Sequence, residues 1–257
     1  LILTSVVSLV GFIWPFILPP NAAGVAQRNQ WFIWMALPLA LFKLITQLTT
    51  KKLDAKSIAL LGVLVAVMAA LRPLGAGAIG IEPMWFILIL AARVFGPSFG
   101  FLLGTISMFL SAILTGGFGP WVAYQSFAAG WIGLGVLLIP RALQGRAELI
   151  ALTAYGIFAA EFFGLAMDLQ FWPWATGGDS QLSYIAGAPI SLNISHFISY
   201  HFLSSMAWDI PRAIFTAVLL VLTGKSVLQS LRRAHTRAAF VTPIEFIERE
   251  KVETEVQ

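Results

Sequence analysis

Residues 56–97 read KSIALLGVLVAVMAALRPLGAGAIGIEPMWFILILAARVFGP, two apolar runs joined by a glycine-rich turn that carries Arg72 and Glu82. The first run sets Gly62, Ala66 and Ala70 at four-residue intervals. On a helix this leaves one face almost bare of side chains, so that another helix can approach its backbone closely. Arg72-Pro73 stops the run, GAGAIG loosens the chain, and Glu82-Pro83 opens the next helix, because the fixed φ of proline suits a helix start and its missing N–H costs nothing there. The pattern predicts a docking face on one helix and a charged turn above a pocket.

Working outward, 58% of the chain is hydrophobic and 11% charged, with a mean hydropathy of +0.85. That is too little polar surface to cover a soluble globule of this length. Continuous apolar runs, rather than alternating ones, predict spanning helices and exclude a barrel. The expected fold class is an all-α integral membrane protein with about eight spans of roughly 20 residues each. Leu1 to Leu18 lacks a small-residue cleavage pattern before Pro19-Pro20 and is expected to be a retained helix. Cysteine is absent, which excludes disulfides and cysteine metal sites.

The formal charge of +4 arises from basic residues at the ends of apolar runs. They form no stripe, so nucleic acid is not a predicted partner. They set topology instead. With a cytoplasmic N-terminus, Lys51, Lys52, Lys56, Arg93, Arg141, Arg146 and the basic tail lie inside and only Arg28 and Arg72 outside, as the positive-inside rule requires. Both termini are then cytoplasmic.

Three regions are expected: an extra N-terminal helix pair in 1–50, a six-helix domain in 57–224 and a cytoplasmic tail in 225–257. The linker KKLDAK at 51–56 separates the first two. Core helices are expected near 57–72, 83–95, 97–116, 120–140, 147–170 and 193–224. The second of these is short for a span unless the loop before it tucks into the bundle. Gly100, Gly104, Ser107 and Ser111 form another small-residue stripe, read as packing. Trp172 and Trp174 in the long outer connection suit either an interfacial aromatic belt or stacking on a ligand.

Ionisable groups at membrane depth are costly and therefore functional candidates. Glu161 and Asp168 are seven apart, on one helix face with Gly164 between them. His201, Ser205, Trp208 and Arg212 make one stripe of the last helix, where Asp209 can pair with Arg212 or cap a helix restart. His196 and His201 are five apart, not the four that would present two imidazoles to one metal, so no metal site is expected. GAGAIG follows no strand and no Lys-Ser or Lys-Thr closes it, which excludes dinucleotide and P-loop sites and with them ATP hydrolysis by this chain. No Gly-x-Ser-x-Gly turn supports a serine hydrolase.

Six core helices, the Gly62, Ala66, Ala70 face, the turn RPLGAGAIGIEP and the segment ARVFGPSFGFLLGTIS together resemble the substrate-binding S component of bacterial energy-coupling factor (ECF) vitamin transporters. The resemblance spans about 57 to 224 and implies a six-helix S-component bundle, with the N-terminal pair as an addition. It implies a multi-pass subunit in the bacterial plasma membrane that binds a vitamin from outside, needs no cofactor, and docks through Gly62, Ala66 and Ala70 on a transmembrane T subunit served by two ATPases. By position it implicates Arg72, Glu82, Trp85, Tyr124, Gln125, Trp172, His201 and Trp208 in substrate binding. The roomy aromatic outer face favours cobalamin or a corrinoid precursor, with riboflavin or thiamine next. The alternatives are a membrane-embedded enzyme with Glu161, Asp168 and Asp209 as acid-base groups, and a purely structural membrane subunit.

Overall fold

In the computed structural model, residues 2–17, 55–75, 80–119, 121–175 and 180–239 are described. The expected second helix of the N-terminal pair, near 31–49, most of the linker 51–56 and the acidic tail end lie outside them. Every regular element among the described residues is helical. They are α1 (Ile2–Ile17), α2 (Ala55–Leu71), α3 (Met84–Phe95), α4 (Pro97–Leu114), α5 (Trp121–Gly135), α6 (Gly145–Ala175), α7 (Ile190–Ser204) and α8 (Met206–Ala239), with 3-10 turns at Arg72–Gly75 and Val136–Leu138. Five helical segments, beginning at Lys56, Pro97, Trp121, Gly145 and Met206, are long and apolar enough to cross a membrane. The described residues form an all-helical, membrane-type bundle.

Packing explains why α3 is short. It has 12 residues, about 18 Å of helix against a hydrocarbon core of about 30 Å. It has no need to span, because Leu88, Ile89, Leu90 and Ala91 are wholly buried at the centre of the bundle, among α4, α5, α6 and α8. The loop before it tucks in as expected. Gly80, at φ 69°, is buried so closely against the Trp208 carbonyl and the Arg212 amide that any Cβ would collide with them. On the other side of α3, Gly96 at φ 96° and Pro97 make the turn that starts α4.

The α4 stripe packs, as read from the sequence. Gly100 and Gly104 lie directly on the Gly133 and Ala129 carbonyls of α5, so these two backbones meet with no side chain between them. The α2 face behaves differently. Leu61, Leu64, Val65, Met68 and Ala69 are buried, whereas Gly62, Ala66 and Ala70 are exposed, and a Cβ on Gly62 would touch nothing.

Two expectations need correction. The last core helix is not continuous: it is interrupted at Ser205, whose carbonyl accepts from the Trp208 and Asp209 amides as α8 restarts, with Pro211 in its second turn. Proline removes one intrahelical donor and crowds the preceding turn, a known cause of helix breaks. Consequently His201, Ser205 and Arg212 stay buried, while Trp208 turns outward and is 49% exposed. The second correction concerns Trp172, which is no interfacial belt residue. It is wholly buried in an aromatic cluster with Phe16, Tyr184 and Phe197, and its indole donates to the Leu182 carbonyl at 2.7 Å.

Helix α1 seats on the bundle. Phe12 meets the Tyr124 ring edge-on at 4.9 Å, Tyr124 donates to the Gly11 carbonyl at 3.3 Å, and Trp131 donates to Ser5 Oγ at 3.1 Å. Ser5 meets Trp131 in the last third of α5 and Phe12 meets Tyr124 near its start, so α1 runs antiparallel to α5.

Candidate functional site

Polar side chains collect at the two ends of the bundle. At one end Glu148, 1% exposed, accepts from Arg93 Nε at 2.8 Å and from Arg232 at 2.6 Å. The remaining Arg93 nitrogens cap the Ile139, Pro140 and Leu143 carbonyls at 3.1 Å each. This network ties α3, α6 and α8 to the turn after α5. The buried Glu148 carboxylate shared by two arginines, with Arg93 also capping three carbonyls, gives the cluster a structural role. Lys56, Arg141, Arg146, Lys225 and Arg233 belong to the same end, which is the basic face of the bundle.

The opposite end carries the groups that sequence reading singled out. Arg72, on the 3-10 turn after α2, donates to Gln125 Oε1 of α5 at 2.9 Å and reaches Ser111 Oγ of α4 at 3.5 Å. Glu82, in the loop before α3, accepts from the Trp85 indole and from Arg212 Nε, the latter at 3.1 Å. Arg212 pairs in turn with Asp209, the i, i+3 pair read from the sequence, and donates weakly to the Ala160 carbonyl at 3.4 Å. Trp85 is 3% exposed and packs on Phe163 at 4.5 Å, and the Arg212 guanidinium lies 5.2 Å over that same ring. Such a cation over an aromatic face is held by the ring quadrupole. His201 Nδ1 meets Asp168 Oδ2 at 2.6 Å.

Of the eight residues implicated in binding, five therefore share this end: Arg72, Glu82, Trp85, Gln125 and His201. Tyr124 and Trp172 are buried behind α1, and Trp208 points away from the bundle. Phe163 was missed by sequence reading. Nothing in a run of phenylalanines marks which ring will sit between an indole and a guanidinium, and only the convergence of α3, α6 and α8 selects it.

A cleft of about 330 Å³ also opens between α1, α5 and α6, lined by residues such as Leu9, Phe12, Trp131 and Phe162. Its walls are almost wholly apolar, and vitamin-sized ligands need a few polar groups to fix orientation. The polar end is therefore the better candidate site.

A family model described as the ECF-type riboflavin transporter, S component, matches residues 52–232. The chain belongs to that family. The match begins in the charged linker before α2 and ends near the Arg232 that closes the basic cluster, so it covers the bundle that carries the polar end. Neither the curated proteins nor the solved structures contain a significant match to the chain. The family is one of transporter substrate-binding subunits, not of enzymes.

Proposed function

We propose that this chain is the substrate-binding subunit of an ECF-type vitamin importer in a bacterial plasma membrane, and that its substrate is riboflavin or a close flavin. The family match over 52–232 carries the reading and moves the first choice from a corrinoid to a flavin. The polar end supports it chemically: the Arg72 guanidinium, the Gln125 amide and the Glu82 carboxylate gather beside the buried Trp85–Phe163 pair, a suitable polar set for a ring system with a polar chain. His201 lines the same end. Tyr124 and Trp172 act from behind, through their contacts with α1.

The exposed Gly62, Ala66, Ala70 face is the docking surface for a T subunit, whose two ATPases supply the energy. The domain division follows: residues 57–224 form the binding bundle, 1–50 an N-terminal addition and 225–257 a cytoplasmic tail, with eight spans in all and both termini inside. Titration of riboflavin into the purified chain tests the assignment, because a flavin bound among aromatic side chains loses fluorescence. Saturable quenching at one flavin per chain is expected, with thiamine and cobalamin far weaker by calorimetry. Binding of cobalamin but not riboflavin would return the assignment to a corrinoid.

A further inference from the structure

Glu161, Asp209 and His201, the last also at the vitamin-binding end, converge where α6 meets α7 and α8. Glu161, His201 and Asp209 each place a ligand atom within 4.8 Å of the others. Asp209 is 0% exposed; its Oδ1 is held by Arg212, and its Oδ2, buried in the same cluster, has no hydrogen-bond partner. A wholly buried carboxylate oxygen without a donor is costly, and it requires a cation or a donor to satisfy it. Gly164 makes the approach possible, because any Cβ there would collide with the Asp209 carboxylate.

The imidazole is oriented as a ligand. Asp168 accepts from His201 Nδ1–H, so the neutral imidazole presents Nε2 on its opposite edge as the ligand atom. Metal-binding histidines are commonly held this way by a carboxylate behind the ring. Charge balance points in the same direction. Among the described residues this end holds four carboxylates, Glu82, Glu161, Asp168 and Asp209, against two guanidiniums, Arg72 and Arg212. Excess negative charge at membrane depth needs compensation.

We propose that Glu161, His201 Nε2 and Asp209 Oδ2 bind one divalent first-row transition-metal ion, of the Zn²⁺ or Co²⁺ type. One imidazole with two carboxylates suits such ions, whereas Mg²⁺ and Ca²⁺ favour all-oxygen shells. Ligand bonds of about 2.1 Å in a tetrahedron set the ligand atoms about 3.4 Å apart, so the three side chains close slightly around the ion. The three ligands leave one position open. The spacing of His196 and His201 hid this site, because its ligands come from three helices and use one histidine.

The site needs no vitamin in its assay, so its fate is separate from the flavin assignment. The full chain, purified in detergent and stripped with chelator, is titrated with ZnCl₂ by calorimetry and with CoCl₂ by visible absorption. One saturable ion per chain is expected, with the d–d bands of a low-coordinate nitrogen and oxygen site. His201→Gln and Glu161→Gln, which leave the Asp209–Arg212 pair intact, each lower Zn²⁺ affinity at least about tenfold. Asp168→Asn, acting only through the imidazole, lowers it about 10- to 100-fold. His196→Gln, whose ring bonds the Ser183 carbonyl outside the cluster, leaves it unchanged. Circular dichroism of each variant confirms that the helices are retained. Absence of saturable binding, or equal affinity in the parent and His201→Gln, overturns the proposal.

Discussion

Single side chains divide into those that hold the bundle and those that gather at the candidate site, and the partners of each decide which. Glu148 is buried and shared by two arginines, so Glu148→Ala strands Arg93, 7% exposed, without its carboxylate. Breaking a buried pair from one side costs about 3–5 kcal/mol. Thermal unfolding in detergent should show a large fall in Tm for Glu148→Ala. At the other end, Trp85→Ala should weaken flavin binding by about 1–3 kcal/mol, roughly 5- to 150-fold, if the ring is a wall of the site. Fluorescence titration reads the change directly. Arg72→Ala should cost a similar amount, since it removes both a guanidinium and the partner of Gln125, whereas Trp208→Ala, on an outward-facing ring, should leave affinity near that of the parent. The identities of Arg72, Glu82, Trp85 and Gln125 were legible in the chain because charge and amide groups are rare in it. Their longer pairings, Arg72 with Gln125 and Glu82 with Arg212, were not, since those partners lie far apart in sequence.

Among the elements, small residues do two jobs that look alike in sequence. On α4 they face Gly133 and Ala129 of α5, where backbone meets backbone. Gly133→Leu forces those helices apart, and overpacking of this kind costs about 1–3 kcal/mol or more. A lower Tm without any specific loss of transport is the expected phenotype. On α2 the same kind of stripe is uncovered, so Ala66→Trp should fold and bind flavin normally while abolishing ATP-driven uptake in cells that also carry the T subunit and ATPases. Uptake at the parental rate would mean that the partner docks elsewhere. Periodicity alone does not separate these stripes, because spacing fixes which residues share a face and says nothing about what covers it.

For the whole molecule, the two polar ends have opposite characters, and the basic one is expected in the cytoplasm. The absence of cysteine permits a direct test. Gln144→Cys, exposed at the basic end, should react with an impermeant maleimide only after the membrane is opened, and Gln181→Cys, exposed in the connection after α6, should react in intact cells. The reverse pattern would invert the topology. Membrane residence, helical class, helix order and the polarity of the ends were decided by the sequence itself, because an apolar run of about 20 residues has few options other than to span, and positive charge at its ends orients it. Tertiary structure decided the rest. It buried α3 at the centre, seated α1 over Tyr124 and Trp172, broke the last helix at Ser205, and turned Trp208 away from the stripe it shares with His201 and Arg212. It also brought Glu161, His201 and Asp209 together from three helices. Apart from the break at Ser205, which the nearby Pro211 prepares locally, these features depend on helix packing between distant parts of the chain and not on the pattern within any one helix.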